Sequence, residues 1–234
     1  MNNINNIAIH THLGMGDMFI CNGLIRRFIS ESNYEKYYIV CKKKYYNTIK
    51  KIYKDEEKII VIPIDAENAG DEYKEVKNLK INGHILRIGH EKLQKIQDNY
   101  NCNFDEAFYK QMNYSIEDKF KWSSIARDGI KEIECYEAIV NSEDYIFVHD
   151  KSSVGEFDLK IQTDYDIIKP NNMNYGLSDW LTVISKAKEI HCIDSSFLNM
   201  VDLIPTNCQC FFHNIKKTEC SVTLSKKWEI VNYD

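Results

Sequence analysis

The chain opens on an apolar, strand-like run that meets a glycine turn and continues as a helix. The run covers residues 7–12, Gly14 and Gly16 form the turn, and a helix-like segment extends from Met18 to Glu31. A strand that turns directly into a helix is the repeating unit of parallel α/β sheets. The turn also presents backbone N–H groups and a helix N-terminus at one point, which suits a phosphate or another anion. The segment therefore predicts a ligand site.

Two better-known glycine loops do not match this turn. The phosphate-binding loop of nucleoside triphosphatases needs a Lys-Ser/Thr pair after its glycines, and this sequence has none there. The dinucleotide fingerprint needs a third small residue where this chain has Phe19, which argues against a Rossmann oxidoreductase. The turn instead ends in Asp17. Its carboxylate could cap the helix or serve a ligand, and the local sequence leaves both roles open.

Strand-like and helix-like segments alternate along the chain in two blocks. The strands of the first block are residues 7–12, 37–41, 59–62 and 85–88. The alternation resumes at residues 145–149, after a helical stretch around residues 115–144. Such alternation predicts parallel sheets covered by helices. We predict an α/β protein with two facing Rossmann-like lobes, residues 1–142 with a helical connector and residues 143–234.

Composition excludes several classes of protein. The 234 residues are 44% hydrophobic, enough to bury a core as one domain or as two small ones. The net charge of −5, with basic and acidic residues interspersed, does not indicate a nucleic-acid-binding surface. No run approaches the roughly 20 apolar residues of a membrane span, and the polar start does not resemble a signal peptide, so we expect a cytoplasmic protein. The eight cysteines include no Cys-x-x-Cys pair, so we expect reduced thiols.

Two histidines near the turn raise the question of a metal. His10 and His12 alternate along the first strand and so share a face of it. Together with Asp17 they form an incomplete ligand set, because no further ligand lies nearby in the sequence. We expect no metal site.

Two strand ends in the second block carry polar residues that suit a phosphate. One strand-like run leads into a helix through hydroxyl residues, and another leads into a segment with a cation. Carboxyl ends of parallel strands share one edge of the sheet, where open α/β sheets bind ligands. The alternatives are an ordinary serine cap and a polar surface loop. The polar residues after these strands are Lys151, Ser152, Ser153, Asp194, Ser195 and Ser196.

Taken together, these residues resemble the two-lobed glycosyltransferases of the heptosyltransferase type, glycosyltransferase family 9. The resemblance rests on Gly14-Met-Gly16-Asp17 before a helix, on the hydroxyl and lysine segment that opens the second block, and on Asp194-Ser195-Ser196 before an apolar helix and Pro205. It implies the GT-B architecture, with the acceptor mainly on the first lobe and the sugar nucleotide mainly on the second. It further implies inversion at the sugar carbon without an essential metal or cofactor.

The resemblance also implies roles for individual residues. Asp17 corresponds to the general base, and the six polar residues after the second-block strands correspond to the donor site. The glycine loop and acceptor side comprise His12, Gly14, Gly16 and Asn22. The implied substrates are a nucleotide-sugar donor and a carbohydrate or glycan acceptor. The alternative is a module that binds a nucleotide or nucleotide sugar without catalysis, in which Asp17 only caps its helix.

Overall fold

The chain folds into two compact units, each built on a parallel sheet. The computed structural model describes residues 5–66, 71–152, 155–170, 174–215, 222–225 and 228–233. Unit 1 is Met1–Ala126 and unit 2 is Arg127–Asp234. Helices alternate with strands in both units, which confirms the predicted α/β class with Rossmann-like parallel sheets.

The sheet of unit 1 places the predicted first strand at its centre. Strand order is β3–β2–β1–β4, and all neighbours run parallel, with Ile9 opposite both Ile39 and Leu86. The carboxyl ends of these strands therefore share one edge. The strands are β1 (Asn6–His10), β2 (Lys36–Lys42), β3 (Ile59–Ile64) and β4 (Gly83–Arg87). The helices are α1 (Met15–Glu31), α2 (Tyr46–Ile52, after a 3-10 turn at Lys43–Tyr45), α3 (Glu72–Asn78), α4 (Leu93–Tyr100), α5 (Phe104–Gln111) and α6 (Glu117–Trp122).

Helices α5 and α6 pack on α1 through specific polar contacts. The Tyr109 hydroxyl donates to the Ile20 carbonyl at 2.8 Å and accepts the Leu24 N–H at 3.0 Å. A Cβ at Gly23 would lie 2.6 Å from the Asp118 carbonyl oxygen, so only glycine permits the close approach of α6. The Lys119–Asp105 ion pair, 2.8 Å long and 0% exposed on both sides, joins α6 to α5. These contacts hold the middle of α1 against α5 and α6.

Unit 2 contains a second parallel sheet, of order β11–β10–β9–β5–β8. Its central strands are buried, and Phe147, Trp180 and Ile190 are 0–1% exposed. The strands are β5 (Tyr145–His149), β6 (Lys151–Ser152), β7 (Gly155–Glu156), β8 (Asp166–Ile168), β9 (Glu189–Cys192), β10 (Gln209–Asn214) and β11 (Trp228–Asn232), of which β6 and β7 form a separate antiparallel pair. The helices are α7 (Gly129–Ile139), α8 (Leu181–Lys186, after a 3-10 turn at Leu177–Trp180) and α9 (Ser196–Asp202).

The division between the units differs from the predicted boundary at residues 142 and 143. The structure divides between Ala126 and Arg127, so α7 belongs to unit 2. Buried Glu132 of α7 accepts hydrogen bonds from the Arg127 guanidinium and from the Thr182 hydroxyl at 2.8 Å. These bonds hold α7 against α8, so the part of the predicted connector that forms α7 packs within the second unit.

Two general properties follow from the described residues. None of the described helices is long and apolar enough to cross a membrane. The cysteines within the described ranges are all free thiols, and several of them, such as Cys21 and Cys192, lie in the core. Burial raises the pKa of both of these thiols, so they act as small apolar side chains.

Candidate functional site

The glycine turn of unit 1 lies at the carboxyl edge of its sheet, as the sequence predicts. Strand β1 ends at His10, and Gly14 is the N-cap of α1 with an extended backbone, φ −70° and ψ 148°. Partly exposed Asp17 lies in the first turn of the helix. A Cβ at Gly14 would be 2.5 Å from Asp17 Oδ2, so the carboxylate lies directly against the bare Cα of Gly14. The absence of a side chain at Gly14 is what leaves room for this carboxylate.

Asp17 combines two properties in this position. A negative charge in the first turn complements the positive end of the helix dipole, as expected of a cap. Its partial exposure also leaves it able to meet a solvent-borne hydroxyl. The N-cap residue itself, Gly14, has no side chain and so makes no side-chain capping hydrogen bond. The geometry is therefore compatible with both roles that the sequence left open.

A cluster of aromatic rings borders the glycine turn. His12 is partly buried, and its ring centroid lies 5.0 Å from that of His90, 5.6 Å from that of Phe104 and 5.3 Å from that of Phe108. The Nε2 of His90 donates to the Thr11 carbonyl at 2.9 Å. These partners come from sequence positions far from His12, so no local pattern identifies them. The cluster fixes the last residues before Gly14.

His10 is the most unusual member of this region. It is 1% exposed, and neither ring nitrogen has a hydrogen-bond partner within the described part of the chain. Its ring lies 4.1 Å from the His90 ring and stacks at 6.3 Å on Tyr73. Burial, with smaller contributions from His90 and Arg87, lowers the pKa of His10 to about 3. The imidazole is therefore neutral near pH 7.

Asn22, predicted on the acceptor side, is buried inside α1. Its exposure is 0%, and its Oδ1 accepts the Ser124 N–H at 2.8 Å. This contact fastens the chain after α6 to α1. In this structure the Asn22 side chain serves packing, and the exposed members of the predicted acceptor set are on the glycine loop itself.

A cavity of about 540 Å³ lies at the carboxyl ends of β2 and β3 in the same unit. Lys42 pairs with Glu72 at 2.9 Å, and Lys43 pairs with Asp65 at 3.3 Å. The residues that line the cavity are Lys42, Lys43, Lys44, Ile64, Asp65 and Ala66.

The carboxyl edge of the unit 2 sheet brings two of the predicted donor segments together. His149, the last residue of β5, approaches Ser195 after β9, with 2.9 Å between Nδ1 and Oγ. Ser195 is the N-cap of α9, where its Oγ accepts the Leu198 N–H at 3.4 Å. The Asn199 amide also donates to the Ser195 carbonyl at 3.2 Å. The predicted cap is therefore present, and it is linked to a histidine that the sequence did not single out.

The segment after β5 carries an exposed lysine next to a buried aspartate in the sequence. Asp150 is 5% exposed, forms an ion pair with Lys169, and accepts the Phe157 N–H at its carbonyl at 2.9 Å. Lys151, opposite Glu156 in the β6–β7 pair, is exposed. Asp150 thus anchors the turn, and Lys151 projects its charge from this edge.

The remaining predicted donor residues are distributed along the same edge. Ser152 is partly exposed in β6, and Asp194 and Ser196 are partly exposed beside Ser195. Asp194 also lines a small cavity that includes Phe157. Ser153 lies outside the described residues.

A hydrogen-bonded chain crosses the unit 2 sheet beside this edge. His191 on β9 bonds Glu189 through Nε2 at 3.0 Å and His213 on β10 through Nδ1 at 2.9 Å. His213 Nδ1 lies 2.7 Å from the Tyr233 hydroxyl, which accepts the Lys160 N–H at 3.0 Å. Burial lowers the pKa of both histidines, that of His213 to about 4. The neutral rings form a continuous chain of donors and acceptors that ties the segment at Lys160 to the sheet.

Metal ligands are not grouped in the part of the chain that the structure describes. No set of three or more His, Cys, Asp or Glu side chains there has the arrangement of a metal site. The rings of His10 and His12 face His90 and aromatic neighbours.

Comparisons with known proteins identify a structure of the same fold. No protein-family profile matches the chain. No curated protein sequence matches it either. The structure is similar to the crystal structure of the glycosyl transferase family 9 from Veillonella parvula DSM 2008, with a TM-score of 0.59 over 98% of this chain and 86% of that one, at 8% identity. The resemblance drawn from the sequence is therefore confirmed at the level of the fold.

Proposed function

We propose that this chain is a glycosyltransferase that moves a sugar from a nucleotide-sugar donor to a hydroxyl acceptor. One observation carries the proposal: nearly the whole chain shares its fold with a protein described as a glycosyl transferase of family 9. The polar strand ends of both units support it, because they lie at the sheet edges where α/β proteins bind ligands. The heptosyltransferase-like GT-B arrangement of the two units is part of the proposal.

In this proposal, unit 2 binds the donor. Transfer leaves negative charge on the departing diphosphate, so the donor site needs cations and hydrogen-bond donors. Exposed Lys151 supplies a cation, and Ser152, Ser195 and Ser196 supply hydroxyl or backbone groups on neighbouring strand ends. Asp194 is assigned to the sugar or its phosphate, as the resemblance implies.

Unit 1 binds the acceptor and supplies the base. Asp17 takes the proton of the acceptor hydroxyl while that oxygen attacks the anomeric carbon. The diphosphate departs from the opposite face of the sugar, which inverts the anomeric configuration. Lys151 and the backbone N–H groups of the donor-binding strand ends offset the negative charge of the leaving diphosphate, so no metal ion is required in this mechanism. His12, Gly14 and Gly16 form the acceptor side of the loop.

Ligand binding can be tested by thermal unfolding with a panel of nucleoside diphosphates and nucleotide sugars. A ligand at 100 times its Kd adds about 2.7 kcal/mol to the apparent stability. For a chain of this size that corresponds to a rise in Tm of about 5–10 °C. Transfer is then measured with the best donor, and the anomeric configuration of the product is read by NMR. A retained configuration, or turnover abolished by a chelator, would contradict the proposed mechanism.

A non-catalytic binding module is the second candidate, because the position of Asp17 is also compatible with a purely capping role. The carboxylate lies against Gly14 in the first turn of α1, where a capping group is expected. A module of this kind raises Tm with nucleotide sugar but releases no nucleoside diphosphate in the presence of any acceptor. Both candidates therefore predict binding of a nucleotide sugar, and only the glycosyltransferase predicts turnover.

A further inference from the structure

His149 is the feature of the donor edge that the proposed function does not yet use. It ends β5, directly before the segment that contains Lys151, and its Nδ1 is 2.9 Å from Ser195 Oγ on the neighbouring strand end. Strands β5 and β9 pair in parallel, with His149 opposite Cys192. The bond therefore joins the two segments to which the donor site is assigned.

The hydrogen bonds of Ser195 favour one tautomer of this histidine. Ser195 Oγ accepts the Leu198 N–H, and its own hydroxyl proton has His149 Nδ1 as an acceptor at 2.9 Å. With the bond in this direction, Nδ1 is the acceptor. Burial lowers the pKa of His149 to about 4, and a neutral ring whose Nδ1 accepts a hydrogen bond carries its proton on Nε2.

This Nε2–H is an oriented donor. The ring packs on Phe197 with 4.4 Å between centroids, which restricts its rotation. His149 is partly exposed, and its only bond among the described residues is the one made by Nδ1. A polar N–H held at the ligand edge of the sheet, next to the exposed ammonium of Lys151, is suited to an anionic oxygen.

We infer that His149, as a neutral imidazole, donates its Nε2–H to a diphosphate oxygen of the nucleotide-sugar donor. The inference rests on the proposed function. No proton is transferred in this interaction. The ring binds the diphosphate before and after the sugar leaves it. As negative charge increases on the leaving oxygens, the hydrogen bond from Nε2–H becomes stronger. Ser195 is a positioning residue, because it acts through the tautomer of His149.

Two matched substitutions separate the donor role from a structural role. In His149→Asn the side-chain amide lies where Nδ1 was, so it keeps the link to Ser195 and loses the outward donor. In His149→Gln the amide lies near the position of Nε2, so it keeps an outward donor and loses the link. Calorimetric titration with uridine, guanosine and adenosine diphosphates, and with the matching nucleosides, measures the effect on the diphosphate alone.

We expect His149→Asn to weaken nucleoside diphosphate binding by about 10- to 100-fold, the effect of losing one hydrogen bond to a charged group. His149→Gln is expected to retain more of the affinity, and nucleoside binding should not change in either variant. His84→Asn, at an exposed position of unit 1, is the control and should bind as the wild type does. Unfolding curves establish that all variants are folded.

A second measurement tests the geometry without a ligand. Nitrogen-15 NMR of the imidazole distinguishes the Nε2–H tautomer from the Nδ1–H tautomer. We expect Nε2–H in the wild type and a mixture in Ser195→Ala. A dominant Nδ1–H form in the wild type would overturn the inference.

The outcomes also separate this inference from the proposed function. If the wild type binds nucleoside diphosphates and His149→Asn binds them equally well, His149 only supports Ser195 and the inference fails alone. If His149→Gln loses more affinity than His149→Asn, the same conclusion follows. If the wild type binds no nucleoside diphosphate, the proposed function fails with it.

Discussion

Replacement of His10 by Phe tests whether the buried imidazole destabilises the fold. The ring is 1% exposed, and both nitrogens lack partners among the described residues. A buried polar group without a hydrogen bond costs about 1–3 kcal/mol. Phe has a similar shape and no polar atom, and the neighbouring rings of His90 and Tyr73 suit an aromatic side chain. We therefore expect His10→Phe to raise the free energy of unfolding by about 1–2 kcal/mol at pH 7.

The gain from this substitution should increase at acidic pH. Burial lowers the pKa of His10 to about 3, whereas an unfolded chain titrates near 6.5. As pH falls below 6.5, the unfolded state takes up a proton that the folded state excludes, so the wild type loses stability. Between pH 6.5 and pH 5 the loss is at most about 2 kcal/mol, at 1.36 kcal/mol per pH unit. Because the unfolded histidine is only half protonated at pH 6.5, the integrated loss is somewhat smaller, about 1–2 kcal/mol.

Urea unfolding at pH 7 and pH 5 measures both effects. The difference between His10→Phe and the wild type should widen by about 1–2 kcal/mol at pH 5, since Phe does not titrate. The control is His84→Phe at an exposed site, which should stay within about 0.5 kcal/mol of the wild type at pH 7. A His10→Phe protein less stable than the wild type at pH 7, or a difference that does not widen at pH 5, would refute the reasoning.

Further predictions concern the two edges and the packing beneath them. Asp17→Asn keeps the shape of the side chain, so we expect stability to change little and transfer to fall by roughly 10²–10⁴-fold, measured as initial rates and unfolding curves. Gly14→Ala places a Cβ 2.5 Å from Asp17 Oδ2, so the carboxylate must move; we expect helix content to persist by circular dichroism while transfer declines. Lys151→Ala removes an exposed charge, so calorimetry should show weaker donor binding at unchanged stability. Lys119→Met leaves the carboxylate of Asp105 without its 2.8 Å partner in a fully buried site, and denaturant unfolding should show a loss of about 3–5 kcal/mol.

The sequence predicted the strand ends because their signal is local. The apolar run before Gly14 and the run before Asp194 each stop where polar residues begin, and both runs are strands that end at the carboxyl edge of a parallel sheet. Parallel pairing brings such ends together without any further information. The cap at Ser195 is a local feature too, since it depends on a hydroxyl at the start of α9.

What the sequence did not show depends on long-range packing. Helices α5 and α6 are held against α1 by Tyr109 and by the close approach at Gly23, which join segments far apart in the sequence. The same holds at the two edges. His90 meets His12 across 78 positions, and His149 meets Ser195 across 46. No periodicity encodes these pairs.

Two histidines each end the first strand of a unit, and they differ in the hydrogen bonds that they make. His10 ends β1 and His149 ends β5, and burial lowers both pKa values, to about 3 and about 4. His10 has no partner for either nitrogen among the described residues, so its polarity only costs stability unless a water or ligand reaches it. His149 has one nitrogen bound by Ser195, and in the tautomer that we infer the other nitrogen carries the proton. In that inference the neighbouring hydroxyl, rather than the histidine itself, determines which strand end offers an oriented hydrogen-bond donor.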